Sequence, residues 1–170
     1  MRRAEQLRWL ILAAQREGNR MLAAALRPLG LTPAQSEVLR LLGDYAPLTL
    51  TGLGELLVCE SGTNPSRLVD RVVELGLVSR TTPDAGDRRQ VILQVTAKGR
   101  SLEKQVRGIE EAMYAELDTI GTDAELATVI AVLERVVAGR ASGEAIAARV
   151  AREGAQPLGG AESAKMASPD

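Results

Sequence analysis

A chain of 170 residues, 45% of them hydrophobic but with one Trp, two Tyr and no Phe, is sized for one domain with a core of Leu, Val, Ile and Ala. Its formal charge of −1 argues against a generic polyanion binder, so any contact with nucleic acid must rest on where the cations sit. With no His and Cys59 as its single cysteine, the chain lacks the commonest general base and metal ligand. It also offers no intrachain disulfide and no cysteine-rich zinc site.

The start, MRRAEQLRWLILAA, sets two arginines before an apolar patch, but Glu5 and Arg8 interrupt it and its period is helical, unlike a signal peptide. No apolar run reaches the roughly 18 residues of a membrane span. These features lead to the expectation of a cytoplasmic protein. From Ala4 to Leu29 one helical stripe carries Leu7, Leu10, Ile11, Ala14, Met21, Leu22, Ala25 and Leu26. Thr32-Pro33-Ala34-Gln35 reads as a capping box with Pro at the first helical position. The helix it opens buries Val38, Leu39, Leu41 and Leu42, and Gly43 is expected to end it. Leu48-Thr49 is extended, and Thr51 is the expected cap of a short helix burying Leu53, Leu56 and Leu57.

Ser61, Thr63 or Asn64 caps the next helix, whose apolar face is Leu68, Val69, Val72 and Leu75 and which Gly76 stops. Leu77–Thr82 reads as a strand. Val91, Leu93 and Val95 alternate with Gln90, Ile92 and Gln94, the period of a half-buried strand, and Pro83, Asp84 and Gly86 are turn formers between the two. Two helices follow, the second opened by the capping box Thr122-Asp123-Ala124-Glu125; Ile146 and Val150 can extend its stripe. From about Gly154 the chain turns small and polar, as a disordered tail does.

The expected fold is therefore mainly α with a small antiparallel β-hairpin wing: a winged helix-turn-helix flanked by N- and C-terminal dimerisation helices. Residues 1–30 form the N-terminal dimerisation helix, 31–97 the DNA-binding domain, 98–152 the C-terminal dimerisation helices and 153–170 the tail. The flanking stripes exceed what the small central domain can cover, which suggests a second copy related by a two-fold axis.

The helix that opens near Asn64 is sized for a DNA major groove. Ser61, Thr63, Asn64 and Ser66 are short groups able to meet phosphates or base edges, and Arg67 and Arg71 share one side of the helix. The competing account is that the short groups only cap, while the arginines pair with Asp70 and Glu74 on their own helix. In the hairpin, Asp87, Arg88 and Arg89 follow one another. A narrow minor groove admits one extended arginine, and Asp87 can brace the loop that presents it.

The stretch RLVDRVVELGLVSRTTPDAGDRRQVILQVTAKG, preceded by LTPAQSEVLRLL and LTGLGELL, resembles the MarR family of winged-helix regulators over roughly Gln6 to Val137. The resemblance implies a homodimer that binds double-stranded DNA at a pseudo-palindromic operator. The recognition helix would lie in the major groove, and the second arginine of the wing pattern Asp87-Arg88-Arg89 would reach the minor groove. The turn VCESGTNPS is longer than the family's usual spacing. The resemblance also implies a repressor released by a small aromatic or phenolic effector held between the dimer helices and the winged helix. Trp9, Arg16, Met21 and Tyr45 are the candidates for that site. Peroxide-sensing members use a cysteine near the N-terminus, where this chain has none; Cys59 lies at the helix turn, as a buried thiol or a redox trigger. The alternatives are a winged helix used only for protein contacts, and an enzyme. The second lacks any nucleophile–base pair, and GLGELL lacks the third glycine of a dinucleotide fingerprint.

Overall fold

A computed structural model describes residues 1–58, 64–82 and 91–155. The N-terminal stripe becomes α1 (Arg3–Leu26), continuous through Gly18 and closed by a short 3-10 turn at Arg27–Leu29. The capping box forms as read: Gln35 Oε1 accepts from the Thr32 N–H at 2.9 Å and Thr32 Oγ1 accepts from the Gln35 N–H at 3.3 Å. It opens α2 (Pro33–Tyr45), which runs past the expected stop at Gly43. One glycine costs about 1 kcal/mol in a helix, too little to end one that is anchored by buried Leu41 and Leu42.

The strand β1 (Leu48–Thr49) leads into α3 (Leu50–Gly54), capped by Thr49, whose Oγ1 accepts from the Gly52 N–H at 3.0 Å. The cap thus falls two residues before Thr51. Helix α4 (Pro65–Glu74) ends in a Schellman turn, with the Leu77 N–H donating to the Val72 carbonyl at 3.0 Å and Gly76 at φ +70. The strands β2 (Val78–Thr81) and β3 (Ile92–Val95) pair antiparallel, and β1 joins the other edge of β3, so the sheet has three strands in the order β1-β3-β2. Leu93 and Val95 point inward, as their alternation required, whereas Val91 is exposed and precedes the strand.

Helix α5 (Ala97–Asp118) starts where Thr96 caps it, and the same hydroxyl donates to the Gly76 carbonyl at 2.8 Å, joining α5 to the end of α4. A Cβ on Gly99 would stand 2.0 Å from the Leu77 carbonyl oxygen, so only glycine permits this approach. After α6 (Asp123–Val137) comes a separate α7 (Ala141–Ala155). The tail expected from residue 153 is helical as far as Ala155, and residues 156–170 lie outside the described residues. The core gathers Leu26, Val38, Leu39, Leu53, Val69, Leu93 and Val106 from α1, α2, α3, α4, the sheet and α5. Much of α1 and α6 stays uncovered: Leu10 is 59% exposed, Ile130 56%, and Leu117 near the end of α5 51%.

Candidate nucleic-acid interface

Helix α4 packs Leu68, Val69 and Val72 inward, which turns Arg67 and Arg71 outward. Of the three candidate caps, Asn64 acts: its Oδ1 accepts from the Ser66 N–H at 2.9 Å. Pro65 then sets the first turn. Asn64 is exposed and Ser66 half-buried, so both stand at the end whose free N–H groups favour a phosphate. Ser61 and Thr63 lie outside the described residues, as does Cys59.

One of the two carboxylates that could draw those arginines back is engaged elsewhere. Asp70 Oδ1 accepts from Arg80 Nη2 of β2 at 2.5 Å. Arg67 and Arg71 form no ion pair with Asp70, Glu74 or any other described residue, so the self-pairing account does not hold for this helix. The stretch joining β2 to β3, with Asp87, Arg88 and Arg89, lies outside the described residues.

Behind α4 the scaffold is fastened by charge. Arg40 donates to Glu110 at 2.8 Å and to Glu103 at 2.5 Å, and Arg107 donates to Asp44 at 2.6 Å, linking α2 to α5. Burial opposes the Arg40 charge, but its hydrogen bonds to Glu110 and Glu103 and the charge on Asp44 outweigh that and raise its pKa. Glu37 is buried in α2, pairs with Arg149 of α7 and accepts from the Val58 N–H at 2.8 Å. Sequence reading passed over this pair. The available signal was a carboxylate on the same face of α2 as Leu41.

A cavity of about 260 Å³ opens where α1, α2, α5 and α7 meet, with Leu22, Arg40, Tyr45, Met113, Tyr114 and Arg149 in its wall. Of the four effector candidates only Tyr45 lines it. Its hydroxyl donates to Glu153 at 3.3 Å, and burial, followed by the Glu153 charge, pushes its pKa up. Trp9 lies exposed on α1 with the Arg8 guanidinium 4.8 Å from its ring centroid, and Arg16 and Met21 are also exposed. Among the described residues no group of three or more Asp, Glu, Cys or His could hold a metal ion, and no helix is long and apolar enough to cross a membrane.

A short helix, a capped second helix with exposed arginines and a three-stranded sheet behind it, flanked by long helices, make a winged-helix DNA-binding protein. A family profile described as "MarR family" matches residues 29–90. The organic hydroperoxide resistance transcriptional regulator of Bacillus subtilis is 30% identical over 105 residues, 62% of this chain and 70% of that protein. The multiple antibiotic resistance protein MarR of Escherichia coli is 30% identical over 129 residues, 75% of this chain and 88% of that protein. A mutant E. coli MarR complexed with operator DNA superposes with a TM-score of 0.67 at 30% identity, covering 78% of this chain and 94% of that one. The Staphylococcus aureus MepR–DNA complex, at 20% identity and TM-score 0.70 over 77% of this chain and 95% of that one, shares the fold. The chain belongs to the MarR family of transcription regulators. It is a DNA-binding regulator, in a family that regulates transcription and does not catalyse reactions.

Proposed function

We propose that this regulator works as a homodimeric repressor at an inverted-repeat operator, with α4 in the major groove and the wing in the minor groove. The observation that carries the reading is that Arg67 and Arg71 are exposed on α4 and pair with no described residue, while Asp70 is taken up by Arg80. At the groove, Asn64 and Ser66 meet phosphate or base edges, and Arg67 and Arg71 supply the bidentate guanine or phosphate contacts. In the wing run Asp87-Arg88-Arg89, Arg89 enters the minor groove and Asp87 braces the loop. The uncovered apolar faces of α1, α5 and α6 support a second copy, since exposed stripes of that size mark an interface. In domain terms, residues 1–30 and 98–152 then join the copies and 31–97 reads DNA.

Release by a small aromatic effector is supported by the cavity at Tyr45, where an aromatic ring has Tyr45, Met113 and Leu22 to pack on. Selection of bound DNA from a random-oligonucleotide pool tests the main reading. Two inverted half-sites about 10 bp apart are expected, and failure to enrich any sequence would refute it. Phenolic and aromatic-acid compounds that displace the selected duplex would support the effector. A set that leaves the complex intact, with no binding to the free protein, would count against it.

A further inference from the structure

Helix α7 is tied to the helix-turn-helix at its most sensitive place. Ala145 is buried and Ala148 packs against the core. From the next residue, Arg149, Nε and Nη2 donate to the Leu56 carbonyl at 2.8 and 2.6 Å, and Nη2 also pairs with Glu37. Glu37 in turn holds the Val58 N–H. Leu56 and Val58 are the last stretch of chain described before Asn64 opens the recognition helix. One guanidinium therefore satisfies the carbonyl of buried Leu56 just past α3 and neutralises a carboxylate that is 7% exposed. A planar fork suits two acceptors at once, which is why arginine rather than lysine fits here.

We propose that α7 is a strap and Arg149 a positioning residue for operator reading. By fixing Leu56 and Val58 against α2, it sets the direction from which the chain enters α4. The proposal rests on the reading of α4 as the DNA-reading helix. Base contacts require a side chain held within about 0.5 Å of its productive geometry, whereas phosphate contacts through long side chains carry no sequence information and tolerate more. Loosening the strap therefore erodes specific binding before non-specific binding.

The test compares the full chain with Arg149→Lys and with the double variant Arg149→Met, Glu37→Gln. The double variant leaves no unpaired charge buried and keeps an acceptor for Val58, so it is expected to fold. Two quantities are read: amide exchange at Val58 without DNA, and affinity for the selected duplex against a shuffled duplex of equal length. The double variant should exchange faster at Val58 and lose about tenfold in affinity for the selected duplex, the size of a lost charge-assisted bond. Its binding to the shuffled duplex should stay unchanged, and Arg149→Lys should fall between the two. Unchanged exchange would overturn the strap. Faster exchange with full specificity, or equal loss on both duplexes, would overturn the positioning role. If the parent selects no DNA the operator reading fails, while the exchange comparison still decides whether the strap exists.

Discussion

Asp70 lies three residues from Arg67 on α4, the spacing at which a carboxylate can pull an arginine back onto its own helix. Arg80 prevents that by occupying the carboxylate. Arg67→Ala and Arg71→Ala should each weaken binding by about 1–3 kcal/mol if the lost contact is bidentate to guanine, with relaxed preference at one base. Titration of the selected duplex and its single-base variants measures both. A uniform loss across all sequences would instead assign that arginine to phosphate. A second residue-scale prediction concerns Gly99, where any side chain meets the Leu77 carbonyl. Gly99→Ala should destabilise the fold by about 1–3 kcal/mol or more, as forced overpacking does, and denaturant unfolding would show it. An unchanged midpoint would mean that the start of α5 moves freely away from the sheet.

Elements were legible in the sequence wherever one local device set them. The two capping boxes, at Thr32 and Thr122, start α2 and α6 where the residues put them. The start of α3 was missed because Thr49 and Thr51 are both competent caps, and the choice falls to Thr49 as β1 pairs Leu48 with Leu93. The end of α2 was missed because burial overrides one glycine. Arg149 and Glu37 stand 112 positions apart, and no local pattern joins residues so distant. The same distance hid the effector cavity, whose wall mixes four helices and keeps only Tyr45 of the residues picked for size and position.

The Thr122 box also carries a pH prediction. Glu125 accepts from the Thr122 backbone N–H first and from its hydroxyl second, and both lower its pKa. A carboxylate lowered on folding contributes stability that is present above its unfolded pKa and lost as pH falls through the folded value. The start of α6 should therefore fray on acidification only below the ordinary glutamate range. An NMR titration of the Glu125 carboxyl should give a midpoint under that of an unstructured glutamate; one at or above it would mean that the box does not persist in solution.

For the whole molecule, a chain of net charge −1 that binds DNA must concentrate its cations on one surface and pair the rest away. Arg40, Arg80, Arg107 and Arg149 are paired in the scaffold, while Arg67 and Arg71 are not paired with any described residue. If the uncovered faces of α1 and α6 join two copies, Leu10→Glu together with Ile130→Glu should leave a monomer in sedimentation and abolish binding to the full palindrome. A dimer that survives both charges would locate the interface elsewhere. The most direct test of a dimeric DNA reader is the mass of the complex between the full chain and its selected duplex in analytical ultracentrifugation. Two chains per duplex, protecting half-sites about one helical turn apart, is the predicted result. One chain per duplex, or no complex with any selected DNA, would contradict it.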